Sequence, residues 1–477
     1  MKSKDVKTPR GRWGVLTVAA AATFMSALDG SIVSVALPKM AGDLQIGTAA
    51  VTWIVSLYLI VVSVFTLLFG RLGDLKGQNR VFRFGLLVFT GGSLLCGMMR
   101  TFVLLAAARS LQAVGASAIM ANSQGIITRT FPSEERGRAL GINGSSVALG
   151  MLAGPALGGL ILSVAEWKYL FWINVPIGIC VYFASLHFSG AADTPKDEKL
   201  DLRGFFLFAL AAVPFFAALE LGPGVGWESP GIIAGFAVSV VFAIRFCRAE
   251  RQSKYPLLDF QIFHNRWFTA SIFCAFTSFV AVASSNIILP FYLQNVRAMG
   301  PAEAGMYLTI YPLVLAASAP VSGSLSDRLG PGVLTFAGLV LTAAGLLLMV
   351  GLGEKTSRPV LGLFIGVMSL GNGLFQAPNN SLVMSMLPHE KLGVGGSVNS
   401  LVRNMGMAVG TALSTAVLYG VMSASLGRRV TGFVSGRSDV FLAGMRAAYG
   451  MAASICAAGA AVTAVRLFHE RRGKKDG

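Results

Sequence analysis

A carboxylate and a guanidinium fall inside apolar segments of this chain, where a charged side chain is costly. Asp29 belongs to "ATFMSALDGSIVSVALP" (22–38), about 24 Å along a helix that would begin at Trp13. Arg109 belongs to the stretch "ARSLQAVGAS" (108–117), inside the apolar segment that begins near residue 102. A hydrocarbon layer about 30 Å thick would enclose both charges, and a charge at that depth usually faces a partner or a cavity. Asp29 and Arg109 are therefore candidates for functional residues.

The composition predicts a polytopic membrane protein that contains these charges. Of its 477 residues, 54% are hydrophobic and 13% are charged, against roughly 25% charged residues in a soluble domain. Apolar stretches recur from end to end, and we expect fourteen membrane spans, which begin near residues 13, 49, 81, 102, 138, 168, 204, 231, 268, 302, 333, 360, 394 and 442. The five cysteines have no paired spacing, so neither a disulfide framework nor a metal site is predicted, and no cofactor is expected.

The net charge of +17 is explained by membrane topology rather than by nucleic-acid binding. Lys and Arg are concentrated in "MKSKDVKTPRGR", in the loop "RFCRAERQSK" and in the tail "RLFHERRGKKDG". Under the positive-inside rule these segments are cytoplasmic, which places both termini in the cytoplasm. The expected partners of the basic segments are membrane lipids, with anionic lipid as counter-charge, and no nucleic acid.

An internal repeat divides the chain into two similar parts. "GRLGDLKG" (70–77) recurs as "GSLSDRLG" (323–330), at an offset of 253 positions. Two six-helix halves, residues 1–190 and 268–477, fit this repeat and are frequent in secondary transporters. The segment 191–267 then carries two additional helices. The predicted fold is thus all-α, with two six-helix halves in pseudo-repeat plus two extra linker helices, or fourteen transmembrane helices.

These motifs resemble the major facilitator superfamily, and within it the fourteen-span drug:proton antiporters, over nearly the whole chain. The loop "GRLGDLKGQNR" is similar to the family signature between spans two and three, which implies a cytoplasmic latch. The implied latch residues are Gly70, Asp74, Gly77 and Arg80, with Asp327 in the second copy. Gln78 and Asn79 replace the usual basic pair, which predicts a weaker latch. By charge alone, Asp74 and Arg80 could pair with each other or with a helix end.

The stretch "GSSVALGMLAGPALGGLI" (144–161) resembles the signature that distinguishes antiporters from symporters. Small residues at this spacing let helices approach closely in lipid. The signature residues are Gly150, Gly154, Pro155, Gly158 and Gly159. The resemblance also implies that Asp29 and Arg109 take part in proton coupling. A permanently ionised pair in a packed interface is the structural alternative for Asp29, and an anchor that caps backbone carbonyls is the alternative for Arg109.

Polar side chains elsewhere in the spans are candidates for a substrate cavity. We assign to it Asn122, Asn143, Gln376, Asn379, Asn380, Asn399 and Arg403. Hydrogen bonds between helices would explain several of the amides without any ligand. The second half lacks a further acid deep in a span, so the cavity would suit a neutral, monocationic or anionic amphiphile.

The predicted function is secondary active export of drug-like, amphipathic small molecules, coupled to proton influx by alternating access. Export or flipping of a lipid or metabolite on the same fold is the alternative. A membrane-embedded enzyme is disfavoured, because the spans hold no His pair and no nucleophile with a base. The resemblance places such a protein in the bacterial inner membrane, and we expect a monomer.

Overall fold

The computed structural model describes residues 9–46, 53–187, 199–388, 391–428, 430, 433–434 and 436–473. These described segments form α-helices and contain no strand. The helices are α1 (Pro9–Asp43), α2 (Trp53–Lys76), α3 (Gln78–Met98), α4 (Phe102–Thr130), α5 (Ser133–Val164), α6 (Tyr169–Trp172), α7 (Asn174–His187), α8 (Leu202–Val225), α9 (Pro230–Gln252), α10 (Arg266–Phe291), α11 (Pro301–Leu329), α12 (Pro331–Val350), α13 (Arg358–Ser385), α14 (Leu392–Leu426) and α15 (Ser438–Gly473). A 3₁₀ turn covers Phe260–His264, and a π turn covers Tyr292–Val296.

Within the described chain, 14 helical segments are long and apolar enough to cross a membrane. Helices α6 and α7 together form one of them, Tyr169–His187, and each other helix supplies one. Hydrocarbon offers no hydrogen-bond partner to a peptide group, so an apolar segment of this length satisfies its backbone internally as a helix. The prediction of an all-α, fourteen-span membrane protein is confirmed.

The first compact unit lies within Met1–Val213, Ser239–Ile262 and Met384–Leu401. In this unit α1 packs along α5, and α4 packs against both α2 and α3. Its buried core includes Met25 on α1 and Phe89 on α3. These contacts bring α1, α2, α3 and α4 together, and these four helices carry most of the candidate site.

The second unit lies within Pro214–Val238, Phe263–Val383 and Val402–Gly477. Here α15 packs against α10 and α12, and the core includes large side chains such as Tyr292, Phe375, Phe441 and Tyr449. The division of the chain at residues 190 and 267 stays a prediction, since these two units are defined by contacts and not by membrane topology.

The sequence repeat corresponds to a repeated turn. Gly77 joins α2 to α3 with a φ of 105°, and Gly330 joins α11 to α12 with a φ of 87°. An L-residue with a Cβ rarely adopts such angles, so glycine is required at both positions. The two copies of the motif therefore encode the same abrupt connection between consecutive spans.

A second set of glycines extends the repeat beyond the motif. A Cβ on Gly85 would lie 2.8 Å from the carbonyl oxygen of Gly115, so α3 and α4 touch through their backbones. At the same offset of 253, a Cβ on Gly338 would lie 2.8 Å from the carbonyl oxygen of Gly371, which joins α12 to α13 in the same way. Both units thus contain a helix pair at corresponding positions whose packing depends on glycine.

We expect Gly371→Ala to lower the thermal unfolding midpoint of the purified protein in detergent. The added Cβ would lie 2.4 Å from the backbone nitrogen of Thr342, which cannot move without shifting α12. Overpacking of this kind costs about 1–3 kcal/mol. Gly366→Ala on the same helix is the control, because no described atom lies within 4 Å of its added Cβ. Equal midpoints for the two variants would contradict the packing role of Gly371.

Candidate functional site

Asp29 and Arg109 form an ion pair inside the first unit. Arg109 Nη1 lies 2.5 Å from Asp29 Oδ2, and both side chains are 0% exposed. Asp29 is on α1 and Arg109 is on α4, two helices that pack directly against each other. Each charge thereby lowers the desolvation cost of the other, which neither could bear alone in an apolar surrounding.

A hydrogen-bond network completes the surroundings of the carboxylate. Asp29 Oδ1 accepts hydrogen bonds from Gln112 Nε2 at 2.8 Å and from Asn174 Nδ2 at 2.9 Å. Gln112 Oε1 in turn accepts from Arg109 Nη1 at 2.6 Å, and Gln112 Nε2 also donates to Ser93 Oγ at 2.7 Å. Donors from α4 and α7 therefore surround the carboxylate of Asp29.

The guanidinium of Arg109 lies between aromatic rings. Its central carbon is 4.2 Å from the centroid of the Tyr58 ring and 5.5 Å from that of the Phe171 ring, so both faces stabilise the cation. Arg109 Nε and Nη2, Tyr58 OH and Asn174 Oδ1 are buried without a hydrogen-bond partner among the described residues. Both carboxylate oxygens of Asp29 thus accept hydrogen bonds, whereas Arg109, Tyr58 and Asn174 each keep a polar atom without a described partner.

Two glycines of the α5 signature pack against the part of α1 that carries Asp29. A Cβ on Gly150 would lie 3.0 Å from the backbone nitrogen of Leu28, and a Cβ on Gly154 would lie 1.9 Å from Ser31 Oγ. Ser31 Oγ also donates a hydrogen bond to the Gly150 carbonyl at 3.2 Å. The signature therefore fixes α1 one residue before and two residues after Asp29.

The other residues of this signature contribute differently. Gly158 is buried, whereas Gly159 is exposed and a Cβ there would have no described atom within 4 Å. Pro155 lies in α5, but its side chain is outside the described part of the structure. The close approach of α5 to α1 thus depends on Gly150 and Gly154.

Asp74, near the end of α2, caps the start of α14. Its Oδ1 accepts from the Gly393 amide at 2.8 Å, and its Oδ2 accepts from the Val394 amide at 2.9 Å. These amides belong to the first turn of α14, where free N–H groups and the helix dipole favour a negative charge. Gln78 Nε2 donates to Asp74 Oδ1 at 3.1 Å, and Arg129 lies 3.8 Å away as the nearest cation.

The predicted latch residues are thus only partly brought together. A Cβ on Gly70 would lie 2.5 Å from the Gly393 carbonyl, so glycine permits α2 to touch α14. The cation paired with Asp74 is Arg129 on α4 and not Arg80, which is exposed on α3. Asp327, the equivalent of Asp74 in the repeat, is half-buried near the end of α11 in the second unit.

Three amides assigned to a substrate cavity lie in helix packing in the first unit. Asn122 is 0% exposed, and its Nδ2 donates to backbone carbonyls of α2 at 3.2 Å and α4 at 2.9 Å. Asn143 Oδ1 accepts from Thr23 Oγ1 at 3.0 Å, which joins α5 to α1. Asn399 Nδ2 donates to Gln124 Oε1 at 3.2 Å. In this conformation these amides serve helix packing, and their assignment to a substrate cavity stays a prediction.

A polar cluster in the second unit surrounds Asn372, which is 0% exposed. Its Oδ1 accepts from Gln376 Nε2 at 2.6 Å and from Tyr311 OH at 3.0 Å, and its Nδ2 donates to Ser278 Oγ at 2.7 Å. Gln376 itself is half-buried. This cluster joins α10, α11 and α13, so inter-helix bonding accounts for the side chains that it contains.

The remaining predicted cavity residues of the second unit differ in exposure. Asn379 is buried, whereas Asn380 and Arg403 are half-buried. Among the described residues, no group of three or more His, Cys, Asp or Glu side chains could hold a metal ion.

Several members of these clusters were not predicted from the sequence. Asn174 and Tyr58 complete the surroundings of Asp29 and Arg109, and Gln78 supports Asp74. A detectable signal existed for Asn174, a lone amide in the apolar run "YLFWINVPIGIC". A polar residue in a membrane span usually has a polar partner or faces a cavity, as Asp29 does.

The described part of the chain contains fourteen apolar helices of membrane-spanning length, and the first unit encloses an ion pair, as expected of a multi-pass membrane protein. The sequence model of the Major Facilitator Superfamily matches residues 19–411, and the chain belongs to this family. It is 33% identical over 471 residues to the riboflavin transporter RibZ of Clostridioides difficile (strain 630), which covers 97% of this chain and 99% of RibZ. It is 31% identical to the multidrug resistance protein Stp of Mycobacterium tuberculosis (strain ATCC 25618 / H37Rv), over 84% of this chain and 75% of Stp.

The fold is also found in a solved transporter structure. The human organic anion transporter MFSD10 (TETRAN) superposes with a TM-score of 0.67 at 16% identity, over 96% of this chain and 100% of that chain. The protein is therefore a transporter and not an enzyme, and a transporter of this family carries small molecules across a membrane.

We expect Asp74→Ala to speed hydrogen–deuterium exchange of the backbone amides at the start of α14. Without the carboxylate, the amides of Gly393 and Val394 lose their acceptors, and the first turn should fray. Hydrogen–deuterium exchange of peptides that cover these amides measures the effect, which should be faster exchange by tenfold or more for about 1.4 kcal/mol of lost protection. Arg80→Gln is the control and should leave exchange unchanged. Fast exchange in both variants, or in neither, would rule out Asp74 as the cap.

We expect Arg109→Met to destabilise the protein strongly, because it leaves the Asp29 carboxylate buried and unpaired. Removal of one member of a buried pair costs about 3–5 kcal/mol. Addition of Asp29→Asn to Arg109→Met should recover more than half of that loss, since the uncompensated charge disappears. Chemical denaturation in detergent measures both variants, with the exposed Arg100→Met as control. A double variant no more stable than Arg109→Met alone would show that charge pairing is not the cause.

Proposed function

We propose that this protein is a secondary active exporter of amphipathic small molecules, driven by proton influx through alternating access. The observation that carries the proposal is the enclosed carboxylate of Asp29, with Arg109 as its counter-ion. An acid in a membrane span that is matched by one cation is suited to carry a proton. When the acid takes up a proton, the cation loses its counter-charge in an apolar surrounding. The enclosed arrangement of the two side chains then becomes unfavourable.

Protonation of Asp29 would change what the carboxyl group can bond. The ionised group accepts hydrogen bonds from Arg109, Gln112 and Asn174, whereas a protonated group has an O–H that must donate. The guanidinium then lacks its counter-charge, and the contact between α1 and α4 weakens. A conformation in which Arg109 meets water or an anion becomes favoured, so proton loading shifts the population between states.

The glycine contacts between α1 and α5 would transmit this change. Gly150 and Gly154 let α5 approach the backbone of α1 beside Asp29, and Ser31 Oγ donates a hydrogen bond to the Gly150 carbonyl at this contact. A displacement of α1 after protonation would therefore act on α5 through this close contact. This rigid contact supports a coupling role for the antiporter-like signature.

The Asp74 cluster would stabilise one end state of the cycle. In the conformation described here, its carboxylate holds the start of α14 through two amides. We propose that this contact is the latch that the family resemblance implied. Gln78 keeps a bond to Asp74 where the family has a basic residue, so the latch retains a contact without the extra charge.

Two relatives suggest different substrates. The likeness to Stp, named a multidrug resistance protein, supports export of drug-like amphiphiles. The likeness to RibZ, named a riboflavin transporter, extends over nearly the full length of both chains and supports a flavin as the second candidate. The amide and hydroxyl groups around Asn372 could bond the heteroatoms of either class if α10, α11 and α13 separate during the cycle.

We also propose a bacterial inner membrane location with both termini in the cytoplasm, and a monomer as the working unit. The basic segments support this orientation by the positive-inside rule. Protons are the proposed coupling ion, and a small amphipathic molecule is the proposed substrate.

We expect Asp29→Asn to abolish proton-coupled transport and to preserve substrate binding. The amide keeps the size of the side chain but cannot take up a proton. Proteoliposomes with an imposed pH gradient would be assayed with lipophilic cations, neutral drugs, riboflavin and a labelled phospholipid. The readouts are substrate flux and substrate-induced proton release, with separate binding by intrinsic fluorescence. Asp43→Asn, an exposed acid at the end of the same helix, is the control.

The outcomes separate the hypotheses. Loss of coupling in Asp29→Asn alone, with drugs as substrates, supports the proton-driven exporter. Transport of riboflavin but not of the drugs supports the flavin candidate, and movement of the labelled phospholipid alone supports a lipid transporter. Equal proton coupling in the wild type and Asp29→Asn would exclude Asp29 as the coupling acid.

A further inference from the structure

A cleft rich in cations lies at one end of the two linker helices. It lies where α8 begins and α9 ends, has a volume of about 700 Å³, and is lined only by residues of the first unit. The cations in its lining are Lys199, Arg203, Arg245, Arg248 and Lys254. We call this cleft the basic cleft. The acidic residue in that lining is Asp201, so the described lining has a clear surplus of positive charge.

Both carboxylate oxygens of Asp201 accept hydrogen bonds from within the protein. Its Oδ1 accepts from the Gly204 amide at 2.7 Å, in the first turn of α8, and its Oδ2 accepts from Ser253 Oγ at 2.8 Å. These bonds cap α8 and tie it to the segment after α9. Asp201 therefore positions the two walls of the basic cleft and is poorly placed to neutralise five cations. An anion from outside would complete the charge balance.

Exposed apolar side chains continue from the basic cleft along both helices. On α8, Leu202 is 55% exposed and Phe206 is 61% exposed. On α9, Val240 is 57% exposed and Ile244 is 48% exposed. Both helices are long and apolar enough to be membrane spans, so these side chains face hydrocarbon and the basic cleft lies at the membrane boundary. A ligand that used both surfaces would have an anionic head and apolar tails.

We propose that the basic cleft binds the headgroup phosphate of an anionic phospholipid, whose acyl chains lie along the exposed face of α8 and α9. Guanidinium groups form paired hydrogen bonds with phosphate oxygens, and Arg203, Arg245 and Arg248 provide three of them. Tyr255 also lines the cleft, and tyrosine is typical of the membrane boundary. A soluble phosphate would match the charge but would leave the apolar face unused.

The test is lipid binding to the full-length protein in nonionic detergent, measured by native mass spectrometry. The probes are dioleoyl phosphatidylglycerol and dioleoyl phosphatidylcholine, which share acyl chains and differ in net charge. The wild type should prefer phosphatidylglycerol. Combined Arg203→Gln, Arg245→Gln and Arg248→Gln should weaken phosphatidylglycerol binding on the order of a hundredfold, at about fivefold for each cation removed. Arg251→Gln, an exposed arginine on α9 outside the cleft lining, should leave the affinity unchanged.

A conservative variant and salt keep the test decisive. The triple replacement of the same arginines by Lys retains charge and should bind phosphatidylglycerol within several-fold of the wild type. In the wild type, an increase from about 0.1 M to 1 M ammonium acetate, a volatile salt, should weaken binding, because screening acts on an exposed cleft. Equal binding of both lipids, salt-independent binding, or unchanged binding by the Gln variant would overturn the proposal. Full displacement of phosphatidylglycerol by inorganic phosphate would instead assign the cleft to a small soluble anion.

Discussion

The first unit is organised by the cost of placing charge in an apolar surrounding. Asp29 and Arg109 would each be strongly unfavourable alone, and the ion pair makes both tolerable. For the pair to form, α1 must lie against α4, α7 must deliver the Asn174 amide, and α2 must present the Tyr58 ring. Four helices are therefore positioned around one contact. Because that contact depends on the charge of Asp29, the proposed protonation would act on all four helices at once.

The fold was predictable because the bilayer leaves a chain few choices. Apolar segments of sufficient length must be helical, so the spans followed from the sequence alone. The motif repeat also predicted two similar parts, and Gly77 and Gly330 adopt the positive φ angles that the repeated turn needs. The contacts of Gly85 and Gly338 were not anticipated. Glycines are frequent in membrane spans, and only the structure shows which of them touch another backbone.

The candidate site was predictable at its charges and not at its amides. A charge in a span is conspicuous, so Asp29 and Arg109 were both candidates, and the structure pairs them although they are 80 positions apart in the sequence. An amide can bond to almost any neighbouring helix. The sequence therefore did not indicate that Asn122 donates to backbone carbonyls of α2 and of its own helix α4. Asp74 shows the same limit. Arg80 lies nearby in sequence, but the spiral of α3 leaves it exposed, and the partners of Asp74 come from distant segments.

The linker is tied to the same helix start that Asp74 holds. Asp259, in the segment after α9, pairs with Lys391, which directly precedes α14. Burial opposes ionisation of Asp259, but the Lys391 ammonium and the Gln261 amide outweigh it and hold the pKa of this carboxyl below its usual range. A pKa that is lower in the folded state stabilises the fold above the usual pKa and loses this effect as the pH falls through the lower value, so the pair persists at neutral pH. The carboxylates of Asp74 and Asp259 therefore both contact the start of α14. A movement of this helix end would displace the segment after α9 as well.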